Sequence, residues 1–314
     1  MTASAQSAAH IVMIRPANFA SNPETIASNR FQASSGDLGA AEIQQAARAE
    51  FDALATALTK AGVNVHVFDD TTSPIKPDAL FPNNWFSTHP DGTVVLYPML
   101  APNRRLERRD DLIEALHKQA SFHVHATVDL THREIEGKYL EGTGSLVLDR
   151  VNRIAYACLS PRTDLDVLGE FGQRLDYDIV AFDAVDANGA PIYHTNVLMS
   201  VGTQFAAVCA EAIEPARRSA VLNLLEKTGH QLIDLTFDQM HSFAGNMLEL
   251  QTASAGLVIA MSDTAMRSLR AEQVAVLESC GTIVSVAIPT IERLGGGSVR
   301  CMIAEVFLGR EGDA

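Results

Sequence analysis

The sequence predicts an α/β fold in which five repeated units, each a pair of strands followed by a helix, close into a cyclic array. Two observations carry that prediction. Five segments have the apolar spacing of helices, beginning at Ala41 ("AEIQQAARAEFDALATALTKAG"), Arg109 ("RDDLIEALHKQA"), Thr163 ("TDLDVLGEFGQRLD"), Pro215 ("PARRSAVLNLLEKTG") and Met266 ("MRSLRAEQVAVLES"). Their starts lie 68, 54, 52 and 51 residues apart, and a unit of about 50 residues with one helix cannot bury its own apolar face, so units of this size stack on their neighbours.

The helix limits have local causes. Thr163 or Asp164 can accept from the first amides of the third helix, Pro215 suits the first turn of the fourth, and Gly62, Gly229 and Gly281 follow helix ends. Between the helices lie short runs rich in Val, Ile and Phe, which read as strands: "IVMI" at 11, "NVHVF" at 64, "TVVLYPM" at 93, "SLVLD" at 145, "RIAYAC" at 153, "NVLMSV" at 196, "QFAAVC" at 204, "LVIAM" at 257, "TIVSVAI" at 282 and "VRCMIAEVFL" at 299. Strand pairs between helices argue for hairpins. A doubly wound parallel sheet, the competing architecture, would not need them.

The 314 residues suffice for a large core, with 47% apolar and 20% charged residues. Twenty-four basic against 38 acidic residues give a net charge of −14, which opposes binding to nucleic acid and favours small metabolites as partners. No apolar run reaches the roughly 20 residues that cross a bilayer, and "MTASAQSAAH" lacks a secretory pattern. Cys158, Cys209, Cys280 and Cys301 are far apart and form no CxxC pair, which fits free thiols in a cytoplasmic protein. No linker-like stretch divides the chain. The expectation is a flexible tail over residues 1–10 and a single domain over 11–310, with a homodimer as the commonest form of a soluble oligomer.

Several stretches carry groups able to do chemistry. In "GGGSVRCM" three glycines and Arg300 precede Cys301, so backbone can approach a ligand beside a thiol, although cysteines more often serve as packing. "YHTNVLMSVG" sets His194 at a strand entrance, where an imidazole can act as acid or base or remain only solvated. "YLEGTGSLVLDR" sets Glu141 at another, as a cap or as a catalytic carboxylate. "PDALFPNNWFSTHPDG" holds Asp78, Asn83, Asn84 and the sole tryptophan, Trp85; adjacent amides beside aromatics either tie a loop or bind a polar planar group. "APNRRLERRD" supplies Arg104, Arg105, Arg108 and Arg109, and "LSPRTD" supplies Arg162, which can fork a carboxylate or form a solvated face. "FHVHA" at 122 to 126 lacks the further ligands of a zinc site.

Taken in order, these motifs resemble the guanidino-group modifying superfamily of arginine deiminases, dimethylarginine hydrolases and amidinotransferases, over nearly the whole chain from "RPANF" at Arg15. "FPNNWFSTH", "LEGTGSLVLDR", "YHTNVLMSVG" and "GGGSVRCM" are most similar to its citrulline utilisation hydrolase branch. The resemblance implies a pentein fold, a five-bladed α/β propeller of pseudo-fivefold ββαβ repeats with the site at its centre. It implies a catalytic Cys301, His194 and Glu141, with Arg104 or Arg105, and Arg162, on the substrate carboxylate. Asp78, Asn83, Asn84 and Asn196 are implied on the reacting group, and no metal or organic cofactor is required. Where deiminases carry aspartates, Asn84 and Asn196 are amides, with both a donor and an acceptor, which suits a neutral ureido group better than a guanidinium. The implied reaction is hydrolysis of citrulline to ornithine, CO2 and ammonia through a thioester on Cys301, with a protonated His194 as the acid. Asp78 keeps arginine open as substrate, for a dihydrolase, deiminase or dimethylarginine hydrolase; an amidinotransferase and a non-catalytic binding module are the remaining alternatives.

Overall fold

The computed structural model describes residues 5–33, 39–118 and 120–310. Among the described residues, fifteen strands form five three-stranded sheets. In chain order these are β1 (His10–Arg15), β2 (Asn64–Asp69), β3 (Phe86–Thr88), β4 (Thr93–Leu96), β5 (Ala126–Asp129), β6 (Val147–Asp149), β7 (Ile154–Cys158), β8 (Asp178–Phe182), β9 (Met199–Val201), β10 (Phe205–Val208), β11 (Gln231–Asp234), β12 (Leu248–Gln251), β13 (Leu257–Ser262), β14 (Thr282–Val286) and β15 (Ala304–Val306).

Each sheet repeats one pattern: an antiparallel pair, a helix, then a third strand parallel to the second. β3–β4–β5, β6–β7–β8, β9–β10–β11 and β12–β13–β14 are continuous in sequence. The fifth sheet joins the chain ends. β15 pairs antiparallel to β1, Val12 opposite Ala304, and β1 runs parallel to β2. An antiparallel pair and a parallel crossover therefore coexist in every unit, so the two architectures weighed from the sequence are combined.

Helix faces follow the apolar spacing. In Ala40–Lys60 the residues Ile43, Ala47, Phe51, Leu54 and Leu58 are buried, and they pack with Ile11 and Met13 of β1. In Leu165–Leu175 the cap is Asp164, which accepts from Asp166 N and Val167 N, while Val167, Leu168, Phe171 and Leu175 face the core. The segment expected as one helix from Met266 is two, Asp263–Ser268 and Ala271–Cys280, because Ser262 caps the first and Leu269 is extended.

The first strand of each antiparallel pair, β3, β6, β9, β12 or β15, is almost wholly buried, whereas β2, β5, β8, β11 and β14 are largely open. Three expected strands begin later than the sequence suggested. Gly142–Ser145, Thr195–Leu198 and Val299–Met302 are single helical turns, so Glu141 and His194 stand just before such a turn and Cys301 stands inside one, each ahead of its buried strand.

The expected tail at 1–10 does not hold over its described part. Gln6, Ser7 and Ala8 are buried. Gln6 Nε2 donates to Leu148 O and Val201 O, at 2.9 and 3.1 Å, and its Oε1 accepts from Arg150 N at 2.8 Å. An amide with both ends satisfied is cheap to bury, and here it ties β6 to β9. Residues 1–4 lie outside the described part. No described helix is long and apolar enough to cross a membrane.

Candidate active site

Five polar residues precede the five buried strands, each two to six residues ahead of the strand it leads into. They are Asn84 before β3, Glu141 before β6, His194 before β9, Asn246 before β12 and Cys301 before β15. All are buried, with Cys301 the most exposed at 4%. Four were expected from the sequence; Asn246 was not. Its signal was the pattern ahead of the strand, since "GNMLEL" stands to β12 as "NNWFST" stands to β3.

A narrow cavity brings together Asp78, Asn84, Arg104, Arg162, His194 and Cys301, with the glycines 295–297 and Phe81 as walls. Its water-accessible space of about 20 Å³ holds roughly one water molecule. His194 Nε2 lies 2.8 Å from Glu141 Oε2. Arg162 Nη1 donates to the same oxygen at 3.2 Å, and Arg104 Nη1 lies 3.9 Å from it. Burial works to raise the Glu141 carboxyl, yet Arg162, the His194 hydrogen bond and Arg104 together hold it well below the usual carboxylate range.

Burial drives His194 down to about 4, with Arg162 and Arg104 adding to the effect and Glu141 opposing it. These shifts favour a neutral imidazole at rest, so the protonated acid expected from the sequence forms when the ring gains a proton during the reaction. A neutral ring beside a carboxylate must present Nε2–H to it, so Nδ1 is the free base. Nδ1 faces Gly144, where a Cβ would stand 2.7 Å from it and 2.4 Å from Asn84 Nδ2.

Arg104 is gripped on several sides. Nε and Nη2 donate to both oxygens of Glu107 at 2.9 Å, and Nη1 donates to Asn84 Oδ1 at 2.8 Å. A guanidinium has donors only, so the Asn84 atom facing it is the oxygen and its NH2 points elsewhere. Asn84 Nδ2 has no partner among the described residues, nor has Asp78 Oδ1. Asp78 Oδ2 accepts from Asn22 at 2.8 Å. Burial raises the carboxyls of Asp78 and Glu107, the latter to about 7, against the pull of Arg104 on both.

Of the expected arginine pair, Arg104 enters the site and Arg105 does not. Arg105 is 28% exposed at its side chain, donates to Met99 O and lies 3.4 Å from Glu134. Two residues along a short helical turn cannot face the same way. Arg162 lies over the Tyr193 ring and donates to Ser28 Oγ and Thr25 O, in a segment over Asn22–Gln32 that the sequence reading did not use. Asn83 is buried but does not line the cavity. Asn196, expected on the substrate, instead points Nδ2 at Cys301 Sγ, 3.6 Å away. Asn246 Nδ2 is nearer the sulfur, at 3.3 Å.

Among solved structures the chain is similar to the N-terminal domain of ArgZ, an arginine dihydrolase from the ornithine-ammonia cycle in cyanobacteria, solved with substrate. The TM-score is 0.71 at 16% identity, over 95% of this chain and 99% of that one. It is similar to AgrE with L-arginine, at TM-score 0.69 and 15% identity over 94% of this chain, and to a dimethylarginine dimethylaminohydrolase adduct with S-methyl-L-thiocitrulline, at 0.64 and 14% over 94%. The match spans 98% of the latter protein, but only 40% of the AgrE chain and 41% of an ArgZ chain that extends beyond the N-terminal domain. No curated protein matches. Residues 15–308 match the family described as N,N dimethylarginine dimethylhydrolase, eukaryotic; the chain belongs to that family, and with it to the guanidino-group modifying superfamily.

Proposed function

We propose that this chain is a cysteine-dependent hydrolase that cleaves a C–N bond in the ureido or guanidino group of a free amino acid, with citrulline as its first substrate. Family membership supports the reaction class. The orientation of Asn84 supports the substrate: with Oδ1 taken by Arg104, the amide offers the cavity an N–H donor. A ureido oxygen can accept from that donor, whereas a guanidinium has no acceptor to offer.

The reaction runs from the neutral resting site. His194 Nδ1 takes the thiol proton, and the Cys301 sulfur bonds to the ureido carbon, giving a tetrahedral adduct. The proton passes from His194 to the δ-nitrogen, the C–N bond breaks and ornithine departs, leaving a carbamoyl thioester. His194 then takes a proton from water as its oxygen bonds to that carbon and the C–S bond breaks. The carbamate released decomposes to CO2 and ammonia. Glu141 holds the ring through Nε2 and stabilises the imidazolium between steps.

Asp78 favours a second reading. Its unpartnered Oδ1 is an acceptor in the same cavity, which suits a guanidinium, and the ArgZ domain is named an arginine dihydrolase. In that reaction ammonia leaves first and citrulline forms on the way to ornithine. Incubation with citrulline, arginine and dimethylarginine in parallel, with ornithine, citrulline and ammonia assayed, separates the readings. Ornithine from citrulline is expected; ornithine or citrulline from arginine alone moves the assignment to the second reading, and turnover of none overturns both.

The five units read as blades of one α/β propeller around a pseudo-fivefold axis, forming a single catalytic domain that extends from the buried Gln6 to residue 310. Five three-stranded sheets of one strand pattern support that arrangement. A cytoplasmic setting fits four free cysteines.

A further inference from the structure

The turns before β3, β6, β9 and β15 each deliver a group with a part in the proposed reaction, and the fifth delivers Asn246, which has none so far. Asn246 is fully buried. Its amide is pinned at both ends. Oδ1 accepts from Arg300 N at 3.1 Å, and Nδ2 donates to Asn196 O at 2.9 Å, so the atom 3.3 Å from Cys301 Sγ is a nitrogen bearing hydrogens. Since Arg300 is the residue before Cys301, the amide grips the nucleophile's backbone and its sulfur together.

Every side-chain hydrogen bond to that sulfur among the described residues involves an amide, from Asn246 at 3.3 and 3.6 Å and from Asn196 at 3.6 Å. Arg300, next to it in sequence, is turned away onto Ile303 O and Glu305. No cation among the described residues is hydrogen-bonded to the thiol. An S–H can donate to Asn246 Oδ1, whereas a thiolate can only accept, from Nδ2; one rigid amide serves both protonation states and serves the anion at the shorter distance.

We propose that Asn246 is a further catalytic residue, the principal donor of a two-amide cradle, shared with Asn196, that stabilises and aims the Cys301 thiolate. The role rests on Cys301 being the nucleophile of the proposed hydrolase. It does not depend on which substrate is used.

The test is alkylation of the full chain by iodoacetamide, in which an S–C bond forms and iodide leaves, followed by mass spectrometry of the Cys301 peptide. The rate at pH 7 is divided by the rate on the high-pH plateau of the same protein, where Cys301 is fully thiolate, and circular dichroism shows that each variant is folded at both pH values. Asn246→Asp keeps the size and the acceptor for Arg300 N but replaces the donor with an anion, and the ratio is expected to fall at least about tenfold. Asn246→Ala, the second variant, is expected to lower it at least about threefold. Changes of less than threefold in both variants overturn the cradle. If wild-type Cys301 is no more reactive than Cys158, Cys209 or Cys280, the failure lies instead with the hydrolase reading on which the cradle rests.

Discussion

The two halves of the candidate site are built from opposite materials. Around His194 stand Glu141, Arg104, Arg162, Asp78 and Glu107, three acids and two guanidiniums, all nearly removed from water. Around Cys301 stand two amides and a run of glycines. Charges in low dielectric act strongly and over distance, which is what fixing one proton position requires. A formal charge bonded to the sulfur would set its reactivity at the cost of nucleophilicity, whereas neutral donors stabilise an anion without quenching it. In the proposed reaction the charged half would then govern the proton and the neutral half the electron pair.

The largest expected effect breaks the charged half outright. Arg104→Ala leaves Glu107, Asp78 and Glu141 facing one another with one guanidinium removed, and the unfolding free energy in urea is expected to drop by about 3–5 kcal/mol. A drop below about 1 kcal/mol would show that Arg104 is not the keystone of that network.

Next comes the junction between the halves. Gly144→Ala places a methyl against Asn84 Nδ2 and His194 Nδ1, and the resulting displacement is expected to cost at least about 100-fold in kcat/KM. Wild-type kinetics in that variant would mean the space over Gly144 is idle.

The pH dependence sharpens the contrast further. His194 must be neutral to act as base, and its value is lowered to about 4 from an ordinary 6.5. A lowered base keeps its neutral form to lower pH, so the acid limb of kcat/KM is expected near pH 4, with little loss on going from pH 7 to about 5.5. An acid limb near 6.5 would show that the charges around the imidazole cancel.

The smallest effect is the control outside the site. Arg105→Ala removes a half-open ion pair with Glu134 and is expected to change stability by less than about 1 kcal/mol and kcat/KM by less than about threefold. A larger loss of activity would return Arg105 to the substrate carboxylate.

Much of this was legible in the sequence because it repeats. Helix spacing marked the units, and Cys301, His194, Glu141 and Asn84 stood out because glycines or paired amides surround them. The strands β5 and β11 escaped because "ATVD" and "QLID" are four residues long with at most two large apolar side chains, whereas the edge strands β2 and β14 lie in longer apolar runs; β8, "DIVAF", carries the signal and was missed. Arg104 and Arg105 could not be told apart, since which neighbour turns inward is decided by Glu107 and Asn84 across space. Asn196 was assigned to the substrate because its residue type, and not its direction, is visible in a sequence. Asn246 lies in "FAGNMLEL", beside no cysteine, histidine or arginine, and becomes conspicuous only when the five strand entrances are compared.

The most direct measurement of the central claim is a rapid quench of the chain turning over citrulline, followed by digestion and mass spectrometry. A carbamoyl group on Cys301, appearing and decaying within the time of one turnover, is the predicted result. A carbamoyl group on any other residue, or undiminished turnover by Cys301→Ala, would contradict the account.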